Sequence, residues 1–500
     1  RIKITPCVII SIADNIALCR SSNVLVVFPV PEKRHGILGD SLVKALLEDG
    51  HEVTYVTTFP QNTKIHDLEY VDISSNMEYD SEDYWPKPEN TANNSLYMEN
   101  LGLKYAQRVL LHPNMQLMMN TTCSFDLVIV EWFYSGLLAP LSSLCDCPLV
   151  WYSSTDVSWK SISLVNSEMN MFSSLNPGMS IIDRIHQIWS QLKVIVQNYS
   201  KELPAYEKSF RDAFKNRGQE LPNYETLVHN GSLLFINSHP FLDQLTALPT
   251  NAKYIGGHHM EEVPQPLPKV IKHKDGVIYV DLETRLFSQD LQELIMQELI
   301  EAFGQVKQTV IWKYDEILVN LPKNLYTMKK PPQQSILSHP SIVAFVNHGD
   351  MVSIIEGAQY GVPLIGIPVM EDQIANMNSV IEKEWGVKID FDDELSWKIL
   401  DAIDTIQSNI SFRAQAKAAR SILRYRLISP RKKFQHWIQM VLKTRGVPYL
   451  RSSSLRLSPL EKYNIDIILL MIMLLWFFSK VMKVFKVHLN YNIDDIDKND

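Results

Sequence analysis

The feature that most restricts the fold is a twice-repeated alternation of short, Val-rich apolar runs with stretches of helical periodicity. Asn23 to Pro29 (NVLVVFP) reads as a parallel strand buried on both faces, because such a strand is apolar throughout rather than alternating. Helical spacing follows over Asp40 to Leu47, Gly50 marks a stop, and Glu52 to Thr57 reads as the next strand, completing a βαβ unit. Phe125 to Glu131, Pro148 to Tyr152 and Leu233 to Asn237 are further runs of this kind, with helical stretches such as Ile182 to Val196 between them. From Thr246 to Lys269 the texture changes to four prolines and a Gly-Gly pair, as in a linker. A second alternation then begins: strand Val277 to Leu282, helix Asp290 to Phe303, strand Thr309 to Lys313, strand Ile342 to Asn347, helix Val352 to Tyr360 and strand Pro363 to Ile367. Glu371 to Thr444 reads as largely helical. The prediction is an α/β chain with two Rossmann-like domains, 21–245 and 273–450, joined by a linker over 246–272 and facing each other across a cleft. Ligands of such sheets sit outside the carboxyl ends of the strands.

Composition narrows the function. Lys and Arg number 48 against 56 acids, a net charge of -8, so the basic footprint of a nucleic-acid binder is missing. Neither a Gly-x-Gly-x-x-Gly nor a Gly-x-x-x-x-Gly-Lys loop occurs, which argues against a nicotinamide, flavin or P-loop site. The five cysteines, Cys7, Cys19, Cys123, Cys145 and Cys147, make no metal-ligand spacing and read as scattered core or loop residues.

The two ends suggest a membrane address. Residues 1–20 have basic Arg1 and Lys3, an apolar stretch interrupted by Asp14 and Asn15, and Ala17-Leu18-Cys19 at the end, as in a signal peptide. Ile467 to Phe478 (IILLMIMLLWFF) is unbroken and apolar, and a transmembrane helix is expected over 464–487, with Lys480, Lys483 and Lys486 snorkelling and Trp476 at an interface. The positive-inside rule then places the tail 488–500 in the cytosol and the bulk of the chain in the lumen. Asn-x-Ser/Thr sequons at Asn93, Asn120, Asn198, Asn230 and Asn409 all lie on that lumenal side.

One segment carries the chemistry: HPSIVAFVNHGDMVSIIEGAQYGVPLIGIPVMEDQIAN, from His339 to Asn376. With HGILGDSLVKALLEDGHEVTYVT, FDLVIVEWF, YIGG and GVPYLR, it resembles the UDP-glycosyltransferases (UDP-glucuronosyltransferase-like), nearly end to end and in the right order. That resemblance implies a GT-B fold, an acceptor in the first domain and a UDP-sugar in the second. It implies an inverting hexosyltransferase with no cofactor besides the UDP-sugar co-substrate. The acceptor would be a small lipophilic hydroxyl compound, as in detoxification, and the glycoprotein would reside as a single-pass type I protein of the endoplasmic reticulum. A homo-oligomeric partner is left open.

By the same resemblance His35 is the catalytic base and Glu131, where the family has Asp, orients it. An imidazole suits removal of a hydroxyl proton near neutral pH. Thr284, Gln333, His348, Gly349, Ser353, Glu356, Asp372 and Gln373 match donor contacts, and the helix starting near Met351 would aim its amides at phosphate. Three positions depart from the pattern: Glu283 and Asp350 replace glycines beside the phosphates, and Lys330 replaces the tryptophan that stacks on uracil. Two carboxylates there would repel a diphosphate, by about 4 kcal/mol per pair at 4 Å and a dielectric of 20. Two readings therefore stand, an active transferase and a lumenal binding protein for lipophilic ligands that has lost its donor.

Overall fold

The computed structural model describes residues 21–79, 94–121, 124–166, 180–242, 248–261, 275–282, 289–314, 318–390, 394–451 and 465–496. The signal-like segment 1–20, Asn93, Glu283, Thr284 and part of the proline-rich stretch, 246–247 and 262–269, lie outside the described residues.

Two wholly parallel sheets form. The first contains β1 (Asn23–Val27), β2 (Glu52–Thr57), β3 (Leu68–Asp72), β4 (Leu127–Trp132), β5 (Leu149–Ser153), β6 (Leu233–Ile236) and β7 (Ala252–Tyr254) in the order 3-2-1-4-5-6-7. The second contains β8 (Val277–Asp281), β9 (Thr309–Lys313), β10 (Leu325–Met328), β11 (Ile342–Asn347), β12 (Leu364–Gly366) and β13 (Gly386–Lys388) in the order 10-9-8-11-12-13. Strand order therefore reverses between β1 and β4 in one sheet and between β8 and β11 in the other, and these are the switch points where ligands bind. The α/β architecture with two parallel sheets agrees with the sequence expectation.

The differences are local and have physical causes. The first helix, α1 (Lys33–Glu48), begins well before Asp40, so His35 sits in its opening turn and not in a loop. β7 reaches into the segment expected to be linker, because Leu234–Ile236 pairs in register with Ala252–Tyr254. Short edge strands β3, β10 and β13 were not legible, since three to five residues of mixed burial carry too little periodicity. Helix α2 (Ile181–Asn216) runs far past Val196.

Each sheet is covered on both faces. Val24, Val26, Phe28, Leu42 and Ile129 pack on one face of the first sheet, and Leu25, Val27, Val128, Val130 and Trp151 on the other. The second sheet divides likewise between clusters around Phe345 and Trp312. Helix α3 (Met351–Tyr360) and helix α4 (Glu371–Glu382) follow β11 and β12. Helix α5 (Pro430–Thr444) then returns to the first domain, although the chain reading assigned it to the second. Phe434 stacks obliquely on Phe235 at 5.0 Å, Ile438 and Val441 join the same core, and Gln435 donates to the Ala45 carbonyl at 2.8 Å. Phe434→Ala should cost about 3–5 kcal/mol through the cavity it leaves. A denaturant melt would show a lower midpoint, and an unchanged one would mean that α5 does not belong to that core.

Helix α6 (Ile465–Ile496) holds the C-terminal apolar run, with Ile467 to Phe478 half or more exposed. Asp466, Lys480 and Lys483 flank that run, and no helix among the described residues is long and apolar enough to cross a membrane. The transmembrane span expected over 464–487 is thus not found as such. Cys145 is disulfide-bonded, which the reading of scattered cysteines did not anticipate, while Cys147 carries a free thiol.

Candidate active site

The two switch points face each other, and the charged residues of the chain's cleft collect between them. β1 leads through Phe28 to Glu32 and into α1, which carries His35 in its first turn. β4 lies beside β1 in register, Val27 opposite Val130, so the next residue, Glu131, is delivered to the same place. Its carboxylate is 1% exposed and its Oε1 lies 2.5 Å from His35 Nδ1. The other ring nitrogen, Nε2, is 3.6 Å from Glu32 Oε2, outside hydrogen-bond range, and the ring lines a cavity of about 50 Å³ with Leu38, Met98, Phe133, His348 and Met370. Phe133 holds the ring edge-on at 5.4 Å. Gly102 lets its helix approach closely, since a Cβ there would sit 2.0 Å from the Phe133 carbonyl oxygen.

Burial alone would lower the His35 pKa, but the charge of Glu131, its hydrogen bond, and the more distant charges of Glu32 and Asp372 raise it to about 9. Burial, together with Glu32, holds the Asp372 carboxyl up at about 6, against an amide hydrogen bond from Gln373. The sequence pairing of His35 with Glu131 is thus reproduced in geometry, with the longer carboxylate still reaching the ring.

In the second domain, β8 ends at Asp281 beside Asn347 at the end of β11. His348 follows, buried, and burial with Arg34 and Lys313 beside it pushes its pKa well below the ordinary value, so it is neutral. Gly349 has φ +85, and a Cβ would lie 2.7 Å from Met377 Cγ, so this sharp turn needs glycine. Asp350 is the N-cap of α3: its Oδ1 accepts from the Ser353 amide at 3.0 Å. Ser353 Oγ accepts from Arg34 Nη1 at 2.6 Å. Glu356 is held by the side-chain amides of Gln333 at 2.7 Å and Gln334 at 3.1 Å, with His259 Nε2 at 3.3 Å. Gln333 Oε1 also accepts from Tyr279. Gln373 commits its carbonyl oxygen to the amides of Val369 and Met370, which leaves its NH₂ for other partners. Asp372 lines the His35 cavity, and Lys330 is exposed in the turn before Gln333–Ser338. His35, Glu131, His348, Ser353 and Asp372 are therefore brought together; Gln333 and Glu356 form a second group further along α3; and Thr284 lies outside the described residues.

What the sequence reading missed is Arg34. Its guanidinium crosses from α1 to Asp350, and it donates to Asp281 Oδ2 at 3.1 Å. Lys313 meets the other oxygen of Asp281 at 3.0 Å. The available signal was a cation adjoining the candidate base, with carboxylates at two strand ends that needed a partner.

Comparison with known proteins shows the family and the fold. A family model described as "UDP-glucoronosyl and UDP-glucosyl transferase" matches residues 41–497. The chain belongs to that family. It is 27% identical over 505 residues to UDP-glucosyltransferase 2 of Dactylopius coccus, covering 92% of each chain. It is 29% identical over 380 residues to human UDP-glucuronosyltransferase 3A2, covering 72% of this chain and 71% of that one. Among solved structures it is similar to the kitacinnamycin glycosyltransferase, with a TM-score of 0.57, 19% identity and coverage of 85% of this chain and 100% of the other. VinC, a glycosyltransferase solved with dTDP, gives 0.56 at 16% identity, covering 84% and 100%. The fold is GT-B, and the chain is a UDP-glycosyltransferase enzyme by family.

Proposed function

We propose that this protein transfers a hexose, glucose or glucuronic acid, from a UDP-sugar to a hydroxyl of a small lipophilic acceptor with inversion. The observation that carries the reading is the His35–Glu131 dyad at one switch point facing the His348–Ser353 turn of the other. His35 Nε2 takes the acceptor proton while Glu131 holds Nδ1 and steadies the imidazolium that forms. The acceptor oxygen then attacks the anomeric carbon, and the bond to the diphosphate breaks with its electron pair leaving on UDP. The N-terminal amides of α3, a ten-residue helix, suit the developing phosphate charge. Glu356 and Gln333 are suited to the nucleoside, Asp372 and Gln373 to sugar hydroxyls. Val30, Met98, Leu101, Tyr105, Phe133 and Met370 supply an apolar wall beside His35 for a lipophilic acceptor.

The same reading includes a lumenal setting at the endoplasmic reticulum membrane. Asn120, Asn230 and Asn409 are exposed, as glycosylation requires, and a disulfide at Cys145 suits an oxidising compartment. The exposed apolar face of α6 is suited to a bilayer, with Lys480 and Lys483 reaching the headgroups. The second reading, a binding protein without a donor, is favoured by Asp350, which occupies amide and guanidinium donors that a phosphate would use.

The test is turnover of radiolabelled UDP-glucose and UDP-glucuronic acid against a panel of phenolic and steroidal alcohols. Sugar-conjugated acceptor from either donor is the expected result. No product from either donor, with acceptor binding retained, would replace the transferase reading by the binding-protein one.

A further inference from the structure

Arg34 belongs to the acceptor-side domain, yet its guanidinium reaches partners on the donor side. It touches Ser353 in the first turn of α3, Asp350 at the N-cap, and Asp281 at the end of β8. These three surround the carboxyl ends of β8 and β11, the position where a Rossmann-like sheet receives phosphate. Asp350 behaves there as an internal anion. One oxygen takes a helix N-terminal amide, the other lies against Arg34 and 3.4 Å from His348 Nε2. His348 is buried and neutral, lines the same cavity, and its Nδ1 has no hydrogen-bond partner among the described residues. The cavity between His35 and His348 has a volume of about 50 Å³, and Arg34, Asp350 and Asp372 line it as well.

We propose that Arg34 is a further anchor for the donor's diphosphate, supplied from the opposite domain and held on Asp350 until a donor takes it over. The inference rests on the reading of this cleft as a UDP-sugar site. Asp350 then acts as a gate on the phosphate position alone: only an anionic group strong enough to replace its carboxylate is seated there. Charge supports the exchange. Asp281 already balances Lys313 at 3.0 Å, so moving Arg34 from one carboxylate to a diphosphate leaves no acid at β8 unpaired. A guanidinium also suits phosphate better than an ammonium would, because its fork of donors can engage two oxygens.

The experiment is calorimetric titration of the full chain in detergent with UDP and, separately, with uridine. Wild type, Asp350→Asn, Arg34→Gln, Arg34→Lys and the Asp350→Asn/Arg34→Gln double variant are compared. Asparagine preserves the N-cap of α3, and lysine preserves the charge beside Asp281, so at least these variants keep the local fold. Asp350→Asn should tighten UDP about tenfold or more and leave uridine unchanged, and adding Arg34→Gln should weaken UDP again by a similar factor. If Asp350→Asn leaves UDP affinity unchanged, or if Arg34→Gln costs nothing in the Asp350→Asn background, the exchange is overturned while the cleft remains a UDP site. If neither UDP nor uridine binds any variant at millimolar concentration, the donor reading itself falls, and the inference with it.

Discussion

Replacing His35 by glutamine is expected to lower the catalytic rate by about 10²–10⁴-fold, the usual contribution of a positioned general base, with UDP affinity unchanged. Glutamine is chosen over alanine because Glu131 is buried, and its Oε1 takes its hydrogen bond from the His35 ring. An amide at position 35 can still donate to it, whereas alanine would leave a buried charge without that donor, at a cost of about 3–5 kcal/mol. A loss confined to turnover would assign His35 to proton removal. A parallel fall in UDP affinity and in melting temperature would assign it to the structure of the cleft instead. Full activity in the variant would remove His35 from the mechanism.

The second large effect is expected from Glu131→Gln, and here pH separates the alternatives. The His35 pKa is raised from 6.5 to about 9, chiefly because the charge of Glu131 and its hydrogen bond overcome burial. Since the folded value exceeds the unfolded one, the stability this pair lends is complete below pH 6.5 and is lost as pH rises through about 9. The variant should therefore be less stable than wild type in the acid part of that window and converge with it at the alkaline end. The base form of His35 is required for reaction, so wild-type kcat/KM should climb with pH toward about 9. Removing the anion lowers the pKa, and the acid limb should move to lower pH. The plateau rate should fall by roughly 10²–10⁴-fold, as when an orienting carboxylate is lost elsewhere. An unshifted limb would show that Glu131 does not set the protonation of His35.

How the substitutions at the donor turn are read depends on both levels. Asp350 looked like an unrelieved charge in the sequence, about 4 kcal/mol of repulsion against a phosphate at an intermediate dielectric. In the folded chain it caps α3 and meets Arg34, which is separated from it by more than three hundred residues. The repulsion becomes an exchange of partners, and this is why the two readings of function converge on one titration.

The sequence alone determined the two sheets, their parallel sense, most central strands and the two residues, His35 and Glu131, that the fold brings into contact. Those signals are local: strands buried on both faces are apolar without a break, Glu131 and His348 each close such a run, and His35 opens the helix that follows one. The tertiary structure decided the rest, because it depends on contacts that no window of sequence contains. α5 packs on the first domain through Phe434 and Phe235, which are 199 residues apart in the sequence. Edge strands such as β7 exist only by pairing with a neighbour that completes their hydrogen bonds. The role of Arg34 was hidden for the same reason. Its partners at Asp281, Asp350 and Ser353 come near it only when the two switch points face each other, where a low dielectric makes one ion pair matter.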